Sequence, residues 1–294
     1  MLSITPTFII EPKTFNKSMD KTHINMEKVT LHFFTLIFSL LLTTKRLYDK
    51  IYLIQKGMIQ MTEWLMRTEM ALNGAENLKD KTVAIIGLGG VGGYVCEAVA
   101  RSGVGTIIAV DRDTVSLSNI NRQIIATRDT VGRSKAELWA ERIHSINPDC
   151  KVIPLDLFYL PDTREELFRY NIDYIVDAVD TVTAKIDLIV EAKNRGIPVI
   201  SSMGFGNKLD CSKIRICDIY ETSGCPLARV MRREMKKRGI DKLKVCFSDE
   251  EPLTPIFKDP ESEGQRKRSP ASVAWIPSAA GLFIAGEVIK DLCK

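Results

Sequence analysis

Val83-Ala84-Ile85-Ile86-Gly87-Leu88-Gly89-Gly90-Val91-Gly92-Gly93 joins an apolar run to a glycine loop and then to a helix start. Four apolar residues before the first glycine suit a strand buried on both faces, and the loop lets backbone N–H groups approach an anion at a helix N-terminus. The stretch therefore predicts nucleotide binding, with Gly87, Gly89, Gly90 and Gly92 as the phosphate-facing positions.

Downstream of that loop, strand and helix signals alternate. Thr106–Val110, Lys151–Leu155, Tyr174–Ala178 and Pro198–Ser201 read as strands, while Ser134–Ile146, Arg164–Arg169 and Ala184–Arg195 read as helices. Such alternation predicts an α/β, Rossmann-like, doubly wound and mostly parallel sheet whose ligand crevice lies at the strand C-terminal ends. After Gly204 the pattern is less regular, and a C-terminal extension of mixed strands, a basic helix and a closing helix over about Ser278–Leu292 is expected.

Asp111 ends the second strand, 19 residues after Gly92, where an acid typically accepts hydrogen bonds from a ribose. That much suits a nicotinamide dehydrogenase as well as an ATP user. Asn119, Asn121, Arg122 and Gln123 then crowd into five positions, and Lys135 follows at a helix start. A triphosphate attacked at its α-phosphorus needs cationic donors that match developing charge, whereas a dinucleotide needs no such cluster. Asp180 follows a third strand end and could hold a magnesium ion that bridges phosphates; as an alternative it caps the helix after it. Asp177 is expected to pair within the fold.

Composition is that of an ordinary globular chain: 294 residues, 45% hydrophobic and 27% charged. Residues 1–60 carry eight Lys/Arg against four Asp/Glu, leaving 33 of each sign in residues 61–294, so any RNA contact needs a local basic patch. The seven cysteines include no C-x-x-C pair, which argues against a disulfide scaffold or a structural zinc site. Most of the seven are expected to be small buried hydrophobes, and Cys225 and Cys246, in polar, loop-like contexts, are the only two thiols worth testing for reactivity. His23, His32 and His144 are not placed for a Cys–His pair.

Residues 1–60 show no periodic core pattern. Their apolar run Phe33–Leu42 is too short to span a bilayer, which needs about 20 residues, and it is followed by Thr43-Thr44-Lys45-Arg46 rather than a cleavage site. The expectation is an N-terminal extension, 1–60, outside the working protein, which begins at Met61; a weakly membrane-associating extension is the alternative. Residues 61–294 then form one catalytic domain.

Gly87-x-Gly89-Gly90-x-Gly92, Asp111-x-Asp113, Asn119-x-Asn121-Arg122-Gln123, Val131-Gly132-x-x-Lys135 and Asp177-x-x-Asp180 together resemble the ubiquitin-activating-enzyme-like adenylyltransferase superfamily across residues 61–294. The resemblance implies ATP and Mg2+ as cofactors. It places Arg122, Lys135 and Asp180 on ATP and its metal, Asp111 on the ribose, and Asp113 and Asn119 in the nucleotide site. It also implies a homodimer in which Arg67 reaches the neighbouring subunit's ATP.

Members that activate sulfur carriers usually hold zinc on two C-x-x-C pairs, which this chain lacks. The segments Asp218–Ser223, Pro226–Glu234, Phe247–Pro252 and Ile276–Leu282 are similar instead to the tRNA threonylcarbamoyladenosine dehydratase branch. That implies ATP-dependent cyclisation of threonylcarbamoyladenosine at tRNA position 37 in the cytoplasm. Arg229, Arg232, Arg233, Lys236 and Lys237 recur at helical spacing opposite Leu227, Val230, Met231 and Met235, a face suited to RNA phosphates or simply to solvent. Adenylation of a small carrier ending in Gly-Gly and a dinucleotide oxidoreductase remain as other readings. A sulfur-transfer partner such as a cysteine desulfurase is left open, and no stable membrane association is expected.

Overall fold

Seven strands form a single sheet: β1 (Thr82–Ile86), β2 (Thr106–Val110), β3 (Lys151–Leu155), β4 (Tyr174–Asp177), β5 (Val199–Ser202), β6 (Ile214–Asp218) and β7 (Lys244–Ser248), in the order β3-β2-β1-β4-β5-β7-β6. The computed structural model describes residues 63–257 and 270–294. The proposed extension at 1–60 lies outside the described residues, as does Arg266-Lys267-Arg268, which its charge makes a second sequence candidate for RNA contact. Every neighbouring pair is parallel except β6 and β7, which run antiparallel at one edge.

The chain builds outward from β1 through β2 to β3, then returns to place β4 on the other side of β1. The crevice between β1 and β4 is therefore the point where strand order reverses, the usual ligand position in such sheets. Helices α1 (Met66–Ala71), α2 (Gly92–Arg101), α3 (Lys135–Ile146), α4 (Arg164–Phe168), α5 (Val182–Asn194), α6 (Pro226–Lys237) and α7 (Trp275–Leu292) accompany the sheet.

Successive residues of β1 serve two cores because strand side chains alternate in direction. Val83 and Ile85 pack with Val95 and Val99 of α2, Trp139 of α3 and Ile284 of α7. Ala84 and Ile86 face the opposite core, with Leu188 of α5 and Met231 of α6. Each Val, Leu, Ile or Met side chain among them contributes roughly 1.5–3 kcal/mol when fully buried. This two-sided burial explains the unbroken apolar run ahead of Gly87.

The sequence boundaries hold to within one or two residues for most elements, but α7 starts at Trp275, three residues before the expected Ser278. Pro277 is accommodated because a first-turn N–H has no intrahelical acceptor to lose. A polar cluster fastens this helix to the sheet: Lys244 on β7 donates to Glu287 at 2.8 Å and to Asp291 at 2.5 Å, and the Tyr174 hydroxyl donates to Asp291 at 2.9 Å. No described helix is long and apolar enough to cross a membrane.

Candidate active site

The glycine loop is folded tightly enough that side chains are excluded. Gly87 has φ +89°, and a Cβ there would stand 2.5 Å from the Ala178 carbonyl oxygen at the end of β4; a Cβ on Gly92 would lie 1.8 Å from the Gly87 oxygen. The loop thus bends back on itself beside β4 and delivers α2 with its N-terminus at the crevice. Gly90 lies against the first turn of α7 and the Arg122 stem: a Cβ would sit 3.2 Å from Pro277 Cβ and 3.4 Å from Arg122 Cγ.

Asp111 joins this loop to the end of β2. Its Oδ2 accepts the Leu88 N–H at 2.7 Å and its Oδ1 accepts the Asp113 N–H at 2.8 Å. Lys135, only 5% exposed at the start of α3, places Nζ 2.8 Å from Asp113 Oδ2 and 3.9 Å from Asp111 Oδ2. Burial pushes the Asp111 carboxyl above the ordinary aspartate range, while Lys135 and the two backbone N–H groups oppose that rise. Each carboxylate oxygen keeps a lone pair for a further donor, as a ribose hydroxyl would supply.

The cationic segment follows β2. Asn119 closes a capping box with Ser116, accepting its N–H at 3.2 Å. Arg122 donates from Nη1 to the Ser118 carbonyl at 2.8 Å and to Asn121 Oδ1 at 2.9 Å. Gln123 is 6% exposed, its Nε2 is 3.6 Å from where a Gly89 Cβ would be, and its Oε1 is buried with no partner among the described residues.

Asp180 is exposed two residues beyond Ala178, and Thr181 rather than Asp180 is the N-cap of α5. Asp177 is fully buried: it pairs with Lys185 at 3.0 Å and accepts the Ser201 hydroxyl at 2.5 Å. Its charge is consumed inside the fold. Among the described residues no three His, Cys, Asp or Glu side chains are grouped to hold a metal. One exposed carboxylate beside a phosphate loop nonetheless suits Mg2+, which usually takes one or two carboxylates plus phosphate oxygens and waters.

The structure thus brings together the glycines, Asp111, Asp113 and Lys135, with the Arg122 stem against Gly90, Asn119 on the segment leading to Arg122 and Asp180 at the neighbouring strand end. It does not bring Arg67 to them. Arg67 is exposed on α1, and Leu65 just before it packs on Gly103, beyond the far end of the ten-residue α2. At 1.5 Å per residue that helix alone separates the two ends by about 15 Å.

Two expectations are corrected. Cys246 lies within β7 at 0% exposure and Cys225 is the buried N-cap residue of α6, so neither thiol stands in an open loop. Burial also pushes the Cys246 thiol far above its ordinary range. On α6, Arg229, Arg233, Lys236 and Lys237 are exposed as the helical spacing predicts. Arg232 instead turns back, donating to the Thr222 carbonyl at 2.8 Å and to the Thr222 hydroxyl. Sequence reasoning also missed Lys208, 2% exposed, whose ammonium donates to the Ser248 and Glu250 carbonyls at 2.8 and 2.5 Å. A lone lysine in a loop gives no signal of such burial.

The model of the ThiF family matches residues 63–294. This chain belongs to the ThiF family. The motif resemblance in the sequence is therefore confirmed at the family level, and the dinucleotide oxidoreductase reading falls away. The ThiF-family chain is 44% identical over 244 residues to a tRNA threonylcarbamoyladenosine dehydratase of Bacillus subtilis, covering 80% of this chain and 96% of that protein. It is 30% identical over 156 residues to the sulfur carrier protein ThiS adenylyltransferase of Escherichia coli, covering 52% of this chain and 62% of that protein. Among solved structures, the tRNA N6-threonylcarbamoyladenosine dehydratase of E. coli in complex with ATP superposes with a TM-score of 0.71 at 29% identity, over 80% of this chain and 97% of that one.

Proposed function

We propose that this protein is an ATP-dependent dehydratase that cyclises N6-threonylcarbamoyladenosine in tRNA through an acyl-adenylate. The observation that carries the reading is the convergence of Arg122, Lys135 and Asp111 on the glycine loop at the β1/β4 crevice, in a chain similar along most of its length to dehydratases of that name.

A carboxylate is a poor electrophile because its leaving group would be oxide. In the proposed first step a threonyl carboxylate oxygen forms a bond to the α-phosphorus of ATP, and the bond to pyrophosphate breaks. The resulting mixed anhydride is attacked by the ureido group of the same modified base, and AMP leaves with the former carboxylate oxygen. Proximity within one substrate can supply roughly 7–11 kcal/mol of barrier reduction, so no enzyme nucleophile is needed. Burial of Cys225 and Cys246 is consistent with that.

The protein's part is positioning and charge stabilisation. Backbone N–H groups of the Gly87–Gly92 loop, with Asn119 beside them, would hold the phosphates, and Asp111 would accept from the ribose. Arg122 and Lys135 would meet charge developing on the α-phosphoryl oxygens, Asp113 fixing the Lys135 ammonium. Asp180 would hold Mg2+, which when bound neutralises charge on the phosphates. Arg67, remote from its own site, suits action on the neighbouring protomer of a homodimer.

The exposed Arg229, Arg233, Lys236 and Lys237 would contact tRNA phosphates, while Arg232 anchors the helix that carries them. A cytoplasmic site of action and contact with a sulfur-transfer partner such as a cysteine desulfurase belong to the same reading. Adenylation of a carrier protein is favoured by similarity to the ThiS adenylyltransferase, but the chain lacks any C-x-x-C pair. Incubation with ATP and either threonylcarbamoylated tRNA, unmodified tRNA or a Gly-Gly-ended carrier separates the two. AMP should appear with the first alone; AMP release driven by the carrier would refute the proposal.

A further inference from the structure

Arg122 is held in an unusual way for a cation at an anion site. Both of its described partners, the Ser118 carbonyl and Asn121 Oδ1, are neutral, and both bind the same nitrogen, Nη1. A guanidinium carries five N–H donors, so among the described residues this arrangement leaves the three on Nη2 and Nε without a partner and pairs the positive charge with no carboxylate. Lys135 contrasts with it, since its ammonium is paired with Asp113.

Asn121 has a second bond. Its Nδ2 donates to the Ser272 carbonyl at 3.0 Å, across 151 positions of sequence. Ser272 is itself fixed from both sides. Ala271 exchanges two hydrogen bonds with Asn207, its N–H donating to Asn207 Oδ1 at 2.7 Å and its carbonyl accepting the Asn207 N–H at 2.7 Å. Trp275, three residues on, opens α7 and donates its indole N–H to the Leu209 carbonyl at 2.9 Å. The amide of Asn121 therefore links a fixed carbonyl to a long side chain whose other described bond is to the Ser118 carbonyl. Its own side chain is exposed and belongs to neither core.

We propose that Asn121 is a positioning residue: it braces Arg122 against the segment leading into α7 so that the remaining guanidinium donors face the glycine loop. The inference rests on the proposed nucleotide site and adds a residue to it. Only an amide meets the geometry. An aspartate would keep the acceptor for Arg122, but it cannot donate to the Ser272 carbonyl, and its charge would compete with phosphate for the guanidinium.

The test is a double-mutant cycle on the full chain, comparing the unmodified protein with Asn121→Ala, Arg122→Ala and the double variant, alongside Asn121→Asp. ATP affinity is measured by titration with Mg2+ present, and AMP release with threonylcarbamoylated tRNA. Loss of an oriented hydrogen bond to a charged group predicts that Asn121→Ala weakens ATP binding about tenfold, with the melting temperature unchanged. The double variant should be no weaker than Arg122→Ala. Asn121→Asp, although isosteric, should be worse than Asn121→Ala, an order that a merely structural role would reverse.

Independent, multiplying losses in the two single variants would overturn the inference, as would Asn121→Ala binding ATP like the unmodified protein. If Arg122→Ala has no effect, the inference and the nucleotide site fall together. If the cycle behaves as predicted but no AMP forms with the tRNA, the proposed reaction fails while Asn121 keeps its role.

Discussion

Lys135→Met removes a single charge from a nearly buried part of the site, and its consequences can be worked from two distances. The ammonium stands 2.8 Å from Asp113 and 3.9 Å from Asp111, and its side chain is nearly buried. At an effective dielectric of about 20, a pair 3.9 Å apart attracts by roughly 4 kcal/mol before desolvation is counted. Methionine also removes the cost of burying the ammonium, and Asp111 keeps its two backbone donors, so a net loss of about 2 kcal/mol at pH 7 is expected. The sign with pH follows from Asp111. Its folded carboxyl already titrates above the ordinary range through burial, so its ionisation costs stability as pH rises through that range. Without Lys135 that cost grows, and the gap between variant and parent should narrow on acidification as Asp111 takes up a proton. Urea unfolding at pH 7 and pH 5 measures this. Catalysis should fall about 10²–10³-fold, the usual effect of deleting one oriented donor to a developing anion. Lys135→Met with AMP release within threefold of the parent, and with a pH-independent stability difference, would refute the reasoning.

Gly92→Ala should abolish the rise in melting temperature that ATP produces, because its Cβ would fall 1.8 Å from the Gly87 oxygen and the loop cannot keep its bend. Asp291→Asn probes the α7 anchor: burial alone would raise the Asp291 carboxyl, but Lys244, Lys294 and Tyr174 bring it down to about 2. That stability is present above the unfolded value near 4 and lost as pH falls toward 2, so the variant should be about 2 kcal/mol less stable in urea at pH 7 and nearly equal to the parent at pH 2. Arg229→Ala with Arg233→Ala should lower tRNA affinity and flatten its logarithmic salt dependence by about 1.5 units, read by filter binding across a salt series. Arg232→Ala should instead lower the melting temperature, since Arg232 bonds Thr222.

What the sequence makes legible here is local. Val83–Ile86 is apolar on both faces because two cores meet it, the glycines and Asp111 each sit at the end of a strand that periodicity alone can find, and the Arg122 segment shows as a polar cluster in the loop after β2. The contacts that complete the site are distant in sequence. The Asn121 bond to Ser272 and the close approach of Pro277 to Gly90 leave no periodic trace, because they depend on where α7 crosses the loop. Cys246 misleads because Lys244 and Ser248 flank it with polarity at the two ends of a strand whose middle is buried. Arg232 misleads for a related reason: an amphipathic pattern assigns a charge to the outer face but cannot tell a solvated guanidinium from one that reaches back to a carbonyl. The paired edge strands β6 and β7 surround α6 in sequence and so break the βαβ rhythm that exposed the rest.

The central claim is that an RNA carboxylate becomes an acyl-adenylate in this site, and oxygen labelling tests it most directly. tRNA whose threonylcarbamoyl carboxylate carries 18O is incubated with the protein, ATP and Mg2+, and the AMP is analysed by mass spectrometry. The account predicts one labelled oxygen in the phosphate of each AMP, formed in step with the cyclised base. Cyclised tRNA accompanied by unlabelled AMP, or formed with no AMP, would contradict it.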